Sequence, residues 1–175
     1  MAQISKLKVA AGSLVTFGGV DLGHTVDGAE ISIEREFTEV KTDLYGNTPV
    51  DMVLSGQKAS VKLKLAEITP GTMSYVVPEA DWDVGSTKEH IHFGTKAGYS
   101  LRNDALELVI TPQGGNADGA LTFTFFKAVS TDNMTLAYKI DEQSVFEVTF
   151  TALVDESRAS TDGRLLGRMG PVAIS

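Results

Sequence analysis

Gly28-Ala29-Glu30-Ile31-Ser32-Ile33-Glu34-Arg35-Glu36-Phe37-Thr38-Glu39-Val40-Lys41 is the stretch that decides the fold. Ile31, Ile33, Arg35 and Phe37 fall on one side of a two-residue repeat, and Glu30, Ser32, Glu34, Glu36 and Thr38 on the other. An extended strand turns that spacing into two distinct faces, whereas a helix scatters it around its axis. Lys58 to Glu67 repeats the pattern, with Val61, Leu63 and Leu65 inward and Ser60, Lys62 and Lys64 outward. The two strands are expected to pair as an antiparallel hairpin, with Lys62 and Lys64 available to Glu34 and Glu36. Such cross-strand charge pairs contribute about 0.2–1 kcal/mol each, enough to favour a register. Between the strands lies a 15-residue loop, Thr42 to Gly56, rich in Asp, Gly, Asn and Pro.

Working outward, Ser13 to Phe17 reads as a short strand, Gly18-Gly19 as a turn and Val20 to Leu22 as a second strand. Asp27-Gly28 is another turn signal. Past the hairpin, Thr69 suits a helix N-cap with Pro70 at the first helical position, and Pro78 closes a helix of about two turns. Glu79 to Tyr99 reads as irregular and holds the only tryptophan, Trp82. Strands follow at Ala105 to Ile110, Ala120 to Val129, Thr135 to Ile140 and Val145 to Val154, with turns at 114–119 and Asp132-Asn133. The expected fold is mainly β: two packed antiparallel sheets, sandwich or barrel, with one short flanking helix. Residues 1–12 are expected to form a flexible arm, 13–154 the β domain, and 155–175 a polar, glycine-rich extension projecting from it.

The 175 residues suit one domain, and 42% hydrophobic content is enough for a core. Zero cysteines exclude disulfides, thiolate metal sites and cysteine nucleophiles. No stretch approaches the roughly 18 apolar residues of a membrane helix. The N-terminus lacks the apolar run of a secretory signal. The formal charge is −8, with lysines and arginines scattered, which argues against gripping nucleic acid through phosphates.

Catalytic signals are sparse. His90-Ile91-His92, beside Glu89, would place both imidazoles on one strand face, but two ligands fall short of the three or four a zinc site needs. No Gly-x-Ser-x-Gly elbow follows Gly12-Ser13, and Gly114-Gly115 opens no helix that could cradle a phosphate. The carboxylates of Glu34 and Glu36 lie on a charged strand face rather than in a pocket. No catalytic residue, metal or cofactor is expected.

The ordered combination of Gly28-Ala29-Glu30-Ile31-Ser32-Ile33, Asp43-Leu44-Tyr45-Gly46-Asn47-Thr48-Pro49-Val50-Asp51, Leu54-Ser55-Gly56 and Val61-Lys62-Leu63-Lys64-Leu65-Ala66-Glu67 resembles the tail tube proteins of tailed phages. The motif likeness runs over about residues 13–78, and strand order extends it over 100–154. The resemblance implies two antiparallel sheets with a flanking helix, hexameric rings whose inner sheets join around a DNA-sized channel, and stacking of rings through the long loop. On this chain the stacking loop would be Asp43, Leu44, Tyr45, Gly46, Asn47, Thr48, Pro49, Val50, Asp51 and Met52. Candidate channel-lining residues are Glu30, Glu34 and Glu36, with Thr122, Thr124, Glu147, Thr149 and Thr151 as equal alternatives. An acidic lining would repel phosphates and let DNA slide without specific binding. The implied partners are other copies of the chain and tape-measure, baseplate or tip, and terminator proteins. The implied location is the virion tail, assembled in the host cytoplasm without membrane insertion.

The loop's composition supports that reading independently. Leu44, Tyr45, Val50 and Met52 make it unusually apolar for a solvated connection. Two alternatives share the β pattern. One is another phage-like structural protein, such as a secretion-system tube, baseplate or decoration protein. The other is a carbohydrate-binding or hydrolytic β-sandwich, which would need an aromatic platform such as Trp82 with Tyr99, or a coupled acid pair.

Overall fold

The computed structural model describes residues 12–67, 69–85, 88–94, 96–113, 119–133, 144–158 and 163–171. The strand expected at Thr135 to Ile140 and most of the N-terminal arm lie outside these residues.

The long alternation of the opening stretch forms β3 (Thr25–Val40), which pairs antiparallel with β4 (Asp51–Leu65). The core side of this hairpin carries Ala59, Val61, Leu63 and Leu65, all buried, with Ile31 packed against them. β1 (Gly12–Phe17), β2 (Val20–Asp21), β7 (Leu106–Gln113), β8 (Phe123–Ser130) and β9 (Phe146–Ala152) complete the same sheet in the order β2-β1-β7-β8-β9-β4-β3. The sheet curls until Ser13 of β1 meets Thr25 of β3, whose Oγ1 donates to the Ser13 carbonyl at 3.3 Å. No strand ladder closes that seam among the described residues, so the sheet stays open. Val15, Phe17, Leu108, Ile110, Phe125, Val148 and Phe150 fill the concave side, where the Phe17 and Phe150 rings sit 4.9 Å apart. Full burial of each such side chain contributes about 1.5–3 kcal/mol.

Helix α1 (Pro70–Val76) begins as read from sequence. Thr69 Oγ1 accepts from the Thr72 backbone N–H, the Thr72 hydroxyl accepts from the Thr69 N–H, and Pro70 opens the first turn. Against it lies a second, two-stranded sheet, β5 (Asp81–Val84) with β6 (Glu89–His92). The expectation of an irregular 79–99 segment is corrected there: Trp82 pairs across from Ile91 and Asp83 from His90. Runs of four residues give too little alternation to stand out in a sequence. Among the described residues, mainly-β architecture, two antiparallel sheets and one helix therefore hold, with the sheets unequal: eight strands, counting the C-terminal strand described below, against two.

Two further differences matter below. Asp27 and Gly28 have φ of 63° and 75°, yet they bulge within β3 rather than ending it, shifting the register between Thr25 and Ala29. The segment 163–171 does not project from the domain, because β10 (Gly167–Met169) pairs with β8. Only glycine fits at 167, where a Cβ would sit 2.6 Å from the Thr124 carbonyl oxygen.

Candidate assembly surface

The β3–β4 hairpin outruns the body. Ile33 opposite Ala59 is the last cross-strand pair in which one member is buried. Glu34 to Val40 and Asp51 to Lys58 continue the ladder, exposed apart from half-buried Gly56. Seven residues of β3 past Ile33 extend about 23 Å at strand rise. The connection is shorter than the 15 residues expected: Asp51 to Gly56 belong to β4. The register moves accordingly, so Glu34 faces Lys58, Glu36 faces Gly56 and Glu30 faces Lys62. Lys62 and Lys64 do not reach Glu34 and Glu36. They meet Glu147 at 3.4 Å and Asp27 at 2.8 Å instead.

At the tip, Asp43–Tyr45 form a 3₁₀ turn and Gly46 takes a φ of 61°. The Val50 N–H donates to the Val40 carbonyl at 2.9 Å, locking the turn shut, and Asp51 Oδ1 accepts from the Met52 N–H. All ten residues of the expected stacking loop are therefore together and exposed, Asp51 and Met52 as strand. Leu44 is 82% exposed and Tyr45 60%. Ile33, Phe37, Val40, Val50, Met52, Val53 and Leu54 bring the exposed apolar side chains of this one hairpin to nine. These side chains form a concentrated apolar patch rather than scattered surface leucines.

Ile33, Phe37, Val53 and Leu54 were not among the expected contact residues. The signal was Val50-Asp51-Met52-Val53-Leu54, four apolar residues in five, which cannot all lie on one face of a strand. Alternation sets Val53 on one face and Met52 and Leu54 on the other, and a bulge at Ser55, between Glu36–Gly56 and Phe37–Leu54, puts Leu54 on the same face as Phe37. Both faces of the hairpin end are apolar.

The convex face of β3, β4 and β9 gathers most of the expected channel residues. Ser60 lies across from Thr151, Lys62 from Thr149 and Lys64 from Glu147, and Glu30 and Glu34 extend the rows through Lys62 and Lys58. Lysines interleave with the carboxylates. Lys58 Nζ donates to Glu36 Oε1 at 2.6 Å, which holds the Glu36 carboxyl below its ordinary value and pushes the Lys58 ammonium up. Lys64 is likewise raised, first by its hydrogen bond to Asp27 and then by that group's charge. Five carboxylates (Asp27, Glu30, Glu34, Glu36 and Glu147) meet three lysines, so the face is mildly acidic. Thr122 and Thr124 are a correction. They are 3% and 0% exposed, enclosed within the chain, so neither faces a channel in this conformation.

The other candidates come apart. Tyr99 donates its hydroxyl to Asp104 at 2.8 Å, and no ring contact joins it to Trp82 among the described residues. His90 and His92 are exposed on β6, with His92 Nε2 3.4 Å from Asp83. No group of three or more His, Asp or Glu able to hold a metal occurs among the described residues. No helix of the described residues is long and apolar enough to cross a membrane.

Comparison with known protein families and with curated protein sequences finds no match. Among solved structures, the chain is similar to one in the six-fold-symmetrised cryo-electron-microscopy structure of the anti-feeding prophage baseplate. The two share 13% identity at a TM-score of 0.47, over 99% of this chain and 100% of the other.

Proposed function

We propose that the chain is a non-enzymatic structural subunit of a phage tail tube, which forms stacked, hexameric rings around a channel for DNA. The observation that carries the proposal is the projecting hairpin, whose nine exposed apolar side chains need a neighbour to cover them. Asp43 to Met52 bridge one ring to the next. The face bearing Glu30, Glu34, Glu36, Glu147, Thr149 and Thr151 lines the channel, where a mild negative excess keeps phosphates from sticking. Among the described residues β3 has a strand neighbour on one side only, β4, and that open edge supplies the ring contact. Tape-measure, baseplate or tip, and terminator proteins complete the assembly in the virion tail. A related phage-like structural protein shares these features and differs in polymer form.

Negative-stain electron microscopy of the concentrated protein tests the proposal. Stacked rings with a central hole are expected. Single rings that never stack point to the baseplate or decoration class, and a persistent monomer across a range of concentrations and salt counts against assembly by this chain alone.

A further inference from the structure

A groove of about 470 Å³ opens at the base of the hairpin, between β3–β4 and the C-terminal strand β10. Its floor is apolar, made by Ile33, Phe123, Phe125 and Leu166, and exposed Arg164 and Arg168 lie on its lining. The hairpin tip offers the converse chemistry. Leu44 and Tyr45 stand out from the 3₁₀ turn, and Lys41 is drawn to Glu39 at 2.8 Å, which leaves Asp43 and Asp51 as the tip's outward charges. We infer that the groove beside β10 is the receptor for the Leu44–Tyr45 tip of a second copy of this chain, with Asp43 and Asp51 set against Arg164 and Arg168. This rests on the reading of the hairpin as an assembly element, and it names what the hairpin binds.

Three observations select a second copy as the occupant. The β3–β4 ladder runs from Ala29 to Val40, interrupted by the bulge at Ser55, and holds the tip about 23 Å or more past Ile33, so no chain can fill its own groove. The signs of charge on tip and rim are opposite, which favours their encounter and orients it. Ile33, Phe37, Leu54 and Met52 share the groove's hairpin face, with Arg35 and Gln57 between them, so the contact need not stop at the tip. Tip and groove are different patches of one surface. Such a contact propagates head to tail unless a rotation closes it.

The chain has no cysteine, so an introduced pair reports alone. Leu44 and Met169 are 82% and 59% exposed, and both accept Cys without touching the core. Full-length protein carrying Leu44→Cys and Met169→Cys is oxidised under assembling conditions and run on a non-reducing gel, with Leu44→Cys plus Val84→Cys as the collision control. A ladder of cross-linked species from the first pair and not from the control is expected. A cross-linked dimer that grows no further still supports the groove assignment, through reciprocal exchange of tips, but overturns the stacked-tube reading. Tubes visible by microscopy with no 44–169 cross-link, or with the control linking equally, overturn the groove assignment and leave the tube reading standing. Charge exchange gives a second readout. Asp43→Arg or Arg164→Asp alone lowers assembly roughly tenfold, and the two together restore it; failure of the double variant to recover counts against the pairing.

Discussion

Lys58 and Glu36 form a 2.6 Å hydrogen-bonded ion pair on the part of the β3–β4 hairpin that stands clear of the body. Glu36 lies opposite Gly56 rather than a larger side chain, and Lys58 reaches it diagonally from its own position opposite Glu34. Both groups are well solvated, so the pair guides the hairpin's register more than it stabilises the fold.

Its pH window follows from the directions of the two shifts. Glu36 titrates below its ordinary value, so its contribution is present above that value and is lost as pH falls through the lowered one. Lys58 titrates above its ordinary value, so its contribution is complete below that value and is lost as pH rises through the raised one. The pair therefore persists through the neutral range. NMR titration of the Glu36 carboxyl checks this: Lys58→Met is expected to return the Glu36 midpoint upward, and an unchanged midpoint would show that the pair does not form in solution.

Removing Leu44 to Val50, with a short turn in their place, is expected to abolish polymer growth and leave the circular-dichroism spectrum and thermal midpoint of the soluble chain unchanged. The tip contributes no side chain to the core, whose nearest member along β4 is Ala59. Tubes that still grow after this deletion would refute the tip's part in assembly.

Within assembled particles, Glu34→Lys with Glu36→Lys is expected to leave rings intact and to slow DNA release, by turning an acidic patch basic. Normal infectivity of the double variant would sink the assignment of this face to the channel.

Core packing offers two predictions of opposite sign. Phe150→Ala empties a site 1% exposed, against Phe17, and is expected to cost about 3–5 kcal/mol in urea denaturation. Thr124→Val is expected to stabilise the chain by about 1 kcal/mol or more, because the buried Thr124 Oγ1 finds no hydrogen-bond partner among the described residues. A destabilised valine variant would reveal that the hydroxyl has a partner in solution.

Asp155 is 7% exposed; its carboxylate fixes the turn after β9, and its N–H donates to the Leu165 carbonyl at 3.0 Å as the C-terminal segment returns. Its Oδ1 accepts from the Ser157 hydroxyl at 2.8 Å and from the Ser157 N–H at 3.2 Å, and Arg158 Nε donates to Oδ2 at 3.2 Å. The Ser157 hydroxyl chiefly, then the Ser157 N–H, Lys127 and Arg158, hold the carboxyl below its ordinary value against the opposing effect of burial. This clamp is therefore present above the ordinary aspartate value and is lost as pH falls through the lowered one. Asp155→Ala is expected to speed amide exchange at 163–171 near neutral pH while β4 and β9 stay protected. Unchanged exchange at Gly167 to Met169 would show that β10 holds without the clamp.

The β3–β4 hairpin and the helix cap were legible because each rests on a local signal: eight or more alternating residues, or Thr69-Pro70 with a stop at Pro78. Register was not legible. It depends on a bulge at Ser55 and on how far the strands run into the loop, and neither leaves a mark in periodicity. Thr122 and Thr124 were misread for a related reason. A polar residue at alternate positions implies a wet face only if nothing covers it, and burial of both faces of β8 comes from distant parts of the chain. The tip of the candidate site was legible from composition, whereas the groove beside β10 was not. Three residues, Gly167 to Met169, inside a polar segment carry no strand signature, and only their contact with Thr124 explains the glycine.

The open edge of β3 has a consequence for what can settle on it. Glu30, Glu34, Glu36 and Glu39 punctuate the strand. Two such strands laid antiparallel would bring carboxylate near carboxylate, which penalises a two-fold embrace of identical edges. A strand with lysines at matching intervals suffers no such repulsion, and β4, with Lys58, Lys62 and Lys64, is the chain's own example. The glutamates act as a password: they turn away a second copy of the same strand and admit a dissimilar one, which gives any array built on this edge a direction.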